Sequence, residues 1–211
     1  MLIDPATLLV FAGAALVLNL TPGPDMLYTL ARASAGGLRA GVASAIGNFA
    51  GTLVQTAAIA VGLGALLAQS ATAFTALRWA GAAYLIFVGL RMLLARTPAA
   101  ADPSRPPAPR RTLARVAIEA FLIHTLNPKV VVFFLAFLPQ FMDPARGSAT
   151  AQMILLGLWF AAQASLVLVV LSAIAGRARR ALGSRERLGV WLKRAGGAVF
   201  VGLGARLAAS P

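Results

Sequence analysis

Residues 19–25 read Asn19-Leu20-Thr21-Pro22-Gly23-Pro24-Asp25 and stand inside an otherwise apolar stretch of about 6–31. Two prolines around a glycine remove two backbone donors, so a helix through this stretch must break. A second break, Asn127-Pro128-Lys129, falls inside the apolar stretch of about 116–141. Backbone groups freed in the middle of a lipid bilayer are tolerated only beside protein or a water-filled cavity. Two such breaks predict an all-α integral membrane protein whose first and fourth spans are interrupted helices.

Composition points the same way. Of 211 residues, 59% are hydrophobic and 12% charged, with a mean hydropathy of +0.81. Soluble domains run at about 45–50% apolar and about 25% charged. A span needs about 20 mostly apolar residues, and residues 40–77 and 147–176 carry no charge at all. The reading is six spans, at about 6–31, 40–66, 72–93, 116–141, 149–176 and 190–209. The N-terminus opens with Asp4 and lacks a basic region, so the first span is not expected to be a cleaved signal peptide. The absence of Cys excludes disulfides, thiolate metal sites and cysteine nucleophiles, and a single His argues against a metal centre. No metal, cofactor or catalytic residue is expected.

The 19 Lys and Arg against 6 Asp and Glu give +13 and a pI near 12.0. Such an excess often marks a nucleic-acid partner. Sorted by loop, it reads as topology instead. One face, which includes Arg32, Arg39, Arg111 and Arg115, carries 15 basic residues, and the other carries 3. The positive-inside rule makes the rich face cytoplasmic and puts both termini outside. Lys129, the one basic residue outside that tally, falls inside a span. The segment 96–115 holds five prolines and reads as a cytoplasmic linker between halves 1–95 and 116–211.

The halves share a pattern. Gly81, Gly89 and Arg91 match Gly196, Gly204 and Arg206 at a shift of 115, and Pro22 matches Pro128 at a shift of 106. Chance similarity between Gly- and Ala-rich helices is the competing account. Three spans per half is an odd number, so repeats of this kind lie in opposite orientations, as in many secondary transporters.

Half-helix N-termini near the midplane carry free N–H groups and a positive partial charge, which suit a carboxylate. Asp25 and Lys129 add charge at the breaks, where an ionisable group costs roughly 2.5–3.5 kcal/mol and is usually paired or set in a cavity. The expectation is that the two face one another across the twofold axis. Asp25 would meet a substrate ammonium or carry a coupling proton; an ion pair that only fixes packing is the alternative. Ser44, Asn48, Thr52 and Thr56 recur every four residues, beside a row of Ala43, Gly47, Gly51 and Gln55. This face serves as packing surface, as the wall of a path, or as both. Glu119 reads as interfacial and His124 as a hydrogen-bonded core residue; Trp79, Trp159 and Trp191 read as interfacial anchors.

The runs NLTPGPDMLYTLARASAGGLRAGVASAIGNFAG, RWAGAAYLIFVGLRML and HTLNPKVVVFFLAFLPQF resemble the LysE/RhtB family of bacterial amino-acid exporters. The likeness covers nearly the whole chain outside the proline-rich linker. Its motifs fall on Pro22, Gly23, Pro24, Asp25, Gly81, Tyr84, Leu85, Asn127, Pro128, Lys129, Pro139 and Gln140. The resemblance implies a six-span inner-membrane exporter of amino acids or related metabolites, driven by the proton motive force; with the charge-derived orientation, both termini are then expected in the periplasm. It leaves the substrate open. The expected substrate site comprises Asn19, Thr21, Pro22, Gly23, Pro24, Asp25, Asn48, Thr52, Tyr84, Asn127, Pro128 and Lys129, with Asp25 as the proton-coupling residue. The expected partners are an amino acid, protons and membrane lipids, and no nucleic acid. Small faces such as Gly37-x-x-x-Gly41 and Gly47-x-x-x-Gly51 suit a homodimer and suit packing inside one bundle equally well. A channel or scaffold without coupled transport is the alternative class; a membrane-embedded enzyme would need a His/carboxylate constellation the chain lacks.

Overall fold

A computed structural model describes residues 2–69, 71–94 and 111–181, together with residues 194, 197, 198, 201, 202, 204, 205, 208 and 209. The linker stretch 95–110, Trp191, Gly196 and Arg206 lie outside the described residues. All regular structure among the described residues is helical. Helix α1 spans Pro5–Leu20, α2 Pro24–Gln69, α3 Ala71–Leu93, α4 Leu113–Thr125, α5 Pro128–Phe137 and α6 Ala149–Ala181. A 3-10 turn at Leu138–Phe141 continues α5.

The first expected span is two helices. Asp4 caps α1 by accepting from the Ala6 and Thr7 N–H groups. Thr21 ends α1 in extended backbone (φ −71°, ψ 118°), and the next helix begins at Pro24, a residue suited to a first turn because it needs no donor. The fourth expected span divides in the same way. Thr112 caps α4, so residues 113–115 belong to a helix and not to the linker. Asn127 caps α5 by accepting from the Lys129 N–H, and Pro128 opens it. Leu113–Thr125 and Lys129–Leu135 are bent by 48°.

The expected loop between the first two spans shrinks to one residue. Helix α2 is interrupted only at Gly37, whose φ of 73° lies in the left-handed region that favours glycine. Were α2 straight, Thr29 and Ser44 would stand about 22 Å apart at 1.5 Å per residue. Their hydroxyls are 2.7 Å apart, so residues 24–36 and 38–69 fold back on one another as a hairpin. Arg32 and Arg39 therefore flank a tight turn.

By length and composition, Pro24–Gly62 and Ala149–Ala175 are long and apolar enough to cross a membrane, the bent pair Leu113–Thr125 and Lys129–Leu135 adds a third if its two helices form one span, and Pro5–Leu20 and Trp79–Arg91 are shorter apolar helices. Six spans are thus an expectation that these helices permit without fixing the count.

The core is aromatic. Phe133, Phe134 and Phe137 of α5 meet Phe160 of α6, Phe141 of the 3-10 turn and, through Phe141, Phe11 of α1, with ring centroids 4.8–6.2 Å apart. All are buried. This cluster ties α1, the first half of the first broken span, and α5, the second half of the fourth, to α6. The small face of α2 is used inside the bundle. Gly47 and Gly51 lie against α4 backbone at Ala117 and Phe121, while Gly41 meets Ser172 of α6. These contacts account for the small-residue spacing without a second copy of the chain. Trp79 and Trp159 are exposed.

Candidate functional site

The two helix breaks meet. Each break frees backbone carbonyls at a helix C-terminus, and each set is satisfied by a side chain from elsewhere. The Lys129 ammonium, buried on α5, reaches back across the break in the first span and donates to the Thr21 carbonyl at 3.2 Å and more weakly to Leu18 at 3.5 Å. Gln55 of α2, also buried, donates to the His124 and Thr125 carbonyls at the end of α4, at 3.0 Å each. The charge on Lys129 thus lies at the negative end of α1, and Asp25 lies in the first turn of α2, at its positive end. Half-helix dipoles stabilise both ions.

Asp25 is the hub. Its Oδ1 stands 4.0 Å from Lys129 Nζ and its Oδ2 stands 3.6 Å from His124 Nδ1. His124 continues the line to Thr52 Oγ1 at 2.9 Å, and Thr52 donates to the Asn48 carbonyl at 3.0 Å. Asn48 donates to Thr29, which shares a hydrogen bond with Ser44. The polar face of the second span packs through its glycines, which touch α4, and its Asn48 and Thr52 join a buried polar line that ends at Asp25.

Several polar atoms around the pair have no hydrogen-bond partner: Asn19 Nδ2, Asp25 Oδ1, Asn48 Oδ1, His124 Nδ1 and Asn127 Nδ2. Buried polar groups are normally satisfied. Five unsatisfied groups, both donors and acceptors, around two ions suit a small polar ligand carrying both kinds of partner. Among the described residues no group of three His, Asp or Glu side chains could hold a metal.

Not every expected residue joins this site. Thr21 is a helix cap: it is buried, its hydroxyl donates to Val17, and it offers only its carbonyl to Lys129. Tyr84 stands half-buried on α3 and makes no hydrogen bond to the break residues among those described. Pro139 and Gln140 form the 3-10 turn beyond α5. His124 is buried and hydrogen-bonded, as expected, and Gln55, read as part of a small face, also satisfies the end of α4. The fold, which stands α2 and α4 against each other, brings both to the breaks.

Gly23 shows how tightly the centre is built. A Cβ on Gly23 would lie 2.8 Å from Asp25 Oδ1 and 2.9 Å from Lys129 Nζ. Gly23→Ala is expected to leave a folded protein in which the two charged groups are pushed apart. Transport should fall by about tenfold or more, since a hydrogen bond to a charged group contributes roughly 1.5–3 kcal/mol. Exchange of labelled amino acid in proteoliposomes, beside a thermal unfolding curve, checks both halves of that statement.

A second polar cluster lies one turn away. Tyr28 donates to Glu119 at 2.7 Å, and Arg111 and Arg115 pair with the same carboxylate. Glu119 is thus a junction between α2 and α4, beyond the interfacial role expected for it. A cavity of about 410 Å³ follows, lined by Arg32, Gly37, Arg111, Leu113 and Val116.

Comparison with known proteins bears on this arrangement directly. Residues 16–210 match the family described as LysE type translocator. The chain belongs to the LysE family. It is 32% identical to an uncharacterized membrane protein of Vibrio cholerae over 194 residues, covering 92% of each chain. It is 32% identical to the homoserine/homoserine lactone efflux protein of Salmonella typhimurium over 203 residues, again covering 92% of each. A leucine efflux protein of Klebsiella pneumoniae is 27% identical over 203 residues, with 95% of this chain and 93% of that one covered. No solved structure matches. As a LysE family chain with apolar helices long enough to cross a bilayer, this is a transmembrane protein.

Proposed function

We propose that this LysE family protein exports an amino acid or a close derivative from the cytoplasm in exchange for protons, by alternately opening the region around the two helix breaks to either side. The observation that carries the reading is the convergence of both breaks on the Asp25–Lys129 pair, with unsatisfied polar atoms of both kinds around it. A zwitterion has the matching chemistry. Its ammonium suits Asp25, and its carboxylate suits Lys129 and the amide groups near the N-terminus of α5. Relatives named for homoserine and for leucine efflux support the substrate class.

Alternating access draws support from internal symmetry. A Cβ on Gly89 would lie 2.7 Å from the Gly197 carbonyl oxygen, and one on Gly204 would lie 2.9 Å from the Ala82 carbonyl oxygen. The shift of 115 that sets Gly81 on Gly196 carries the first contact onto the second. A twofold axis relating inverted halves has that consequence, and equivalent halves can exchange conformations. On the basic face, expected to be cytoplasmic, the order along both α2 and α4 is cavity, then Tyr28–Glu119, then Asp25–His124. In this reading the Tyr28–Glu119 bond closes the cytoplasmic side while the outer side is accessible. The protein would lie in the bacterial inner membrane with both termini in the periplasm.

Counterflow tests the proposal. Proteoliposomes preloaded with unlabelled L-homoserine or L-leucine should accumulate the labelled amino acid transiently, and an imposed pH gradient should drive net movement. A folded protein that supports no counterflow with any member of a panel of amino acids would leave the channel or scaffold reading in its place.

A further inference from the structure

The geometry points to His124 as the residue that holds the exchanged proton, on Nδ1 against Asp25, so that proton and substrate ammonium occupy the same place in turn. This inference rests on the transport reading above and gives the coupling a chemical form.

The argument begins at Thr52. Its hydroxyl has one hydrogen, and it donates that hydrogen to the Asn48 carbonyl at 3.0 Å. With that hydrogen engaged, the Thr52 oxygen accepts from His124 Nε2, 2.9 Å away. This arrangement fits a ring that carries its hydrogen on Nε2. In a neutral ring the other nitrogen, Nδ1, is then a bare lone pair. That lone pair faces Asp25 Oδ2 at 3.6 Å and has no hydrogen-bond partner. Two acceptors opposed in a buried site are unfavourable, and one proton resolves the conflict: on Nδ1 it makes an imidazolium that donates to the carboxylate.

A substrate ammonium resolves the same conflict differently. It has three N–H donors and one positive charge. Placed between Oδ2 and Nδ1 it donates to both, which requires the ring to be neutral. The Nδ1 proton then leaves with its N–H bonding electrons retained by the ring, and passes to water on whichever side the site is open. One cation at a time faces Asp25 Oδ2, and mutual exclusion of two cations is what an antiporter requires.

Among the described residues the titratable groups around the ring are few. The first arm of α2 contributes Asp25 and, one turn on, Tyr28; α5 contributes Lys129; α4 itself contributes Glu119, which is engaged by Tyr28, Arg111 and Arg115. The second arm of α2 offers Asn48 and Thr52, the end of α1 offers carbonyls and the Asn19 amide, and α6 carries no titratable residue from 149 to 176.

Because His124 is the chain's only histidine, its ring can be observed without interference. In protein labelled with nitrogen-15 histidine, the neutral ring should show the Nε2–H tautomer, and saturating L-homoserine or L-leucine should convert imidazolium to that neutral form. Calorimetric binding in buffers of different ionisation enthalpy should show close to one proton released per amino acid bound, at a pH where the free protein's ring is charged. His124→Gln should release none and, in whatever counterflow it retains, lose at least about tenfold of the acceleration that a pH gradient gives the unaltered protein. A neutral ring with its hydrogen on Nδ1, binding without proton release, or full pH-gradient acceleration in His124→Gln would each overturn the inference. The first two are read on the unaltered chain, so they decide even if the variant fails to fold. Counterflow by the unaltered chain keeps a failure of this inference separate from a failure of the transport reading.

Discussion

Asp25→Asn should abolish pH-gradient-driven export while leaving Lys129 buried and without its counter-ion. Hydrogen bonds to charged groups contribute roughly 1.5–3 kcal/mol, so losing the carboxylate should slow substrate-coupled movement by roughly 10- to 100-fold. Stability should fall as well. Removing one member of a buried ion pair typically costs roughly 3–5 kcal/mol, and here the loss is softened because Lys129 keeps the Leu18 and Thr21 carbonyls. The double variant Asp25→Asn with Lys129→Met separates packing from function. A neutral, well-filled centre should recover part of the lost thermal stability in detergent, yet counterflow should stay at the background of empty liposomes. If the pair served only to fix the helices, the double variant would transport like the unaltered protein. That outcome would remove Asp25 and Lys129 from the mechanism.

The second large effect is structural and lies one helix face away. A Cβ on Gly47 would overlap the Ala117 carbonyl oxygen and lie 2.9 Å from the Phe121 nitrogen. Both are backbone atoms of α4, so no rotamer change relieves the contact and the two helices must separate. Gly47→Ala should destabilise the protein by about 3 kcal/mol, the upper part of the range for overpacking a filled interior. Gly47→Leu should yield no folded, monodisperse protein. Gly13 is the control, because a Cβ there meets nothing within 4 Å; Gly13→Ala should change the unfolding temperature little. Separating α2 from α4 also breaks the Gln55 and Thr52 contacts to the end of α4. Residual Gly47→Ala protein should therefore lose transport out of proportion to its loss of stability. Unfolding temperature and counterflow, measured on the same preparations, test both statements.

How much of this was legible in the chain can be judged residue by residue. Pro22, Gly23 and Pro24 announce a break because missing donors and a permissive glycine act locally, whatever surrounds them. Pro128 does the same for the fourth span. The structure carries both breaks where those residues stand. The expected loop over Arg32 and Arg39 was less legible. Nothing short-range distinguishes Gly37 from Gly36 or Gly41, and only the hairpin contact of Thr29 with Ser44 shows which glycine turns the chain. Thr21 and Tyr84, both expected at the substrate site, depend on which way a helix faces. Thr21 turns out to be a cap, and Tyr84 stands half-buried on α3 without a hydrogen bond to the breaks among the described residues.

The sequence by itself determined the chemical inventory: a membrane protein, two broken helices, one acid and one lysine at the breaks, and a polar stripe on the second span. Each of these follows from local chemistry or from periodicity, which the order of residues contains in full. Only the tertiary structure decided what the inventory does together. Asp25 lies one turn of α2 from Tyr28, but its partners are His124 and Lys129, about a hundred positions away. Gln55 and Lys129 complete helix ends to which they do not belong. Contacts at that separation depend on how close α2 can come to α4, which Gly47 and Gly51 set through backbone contact, and no local rule reports that distance.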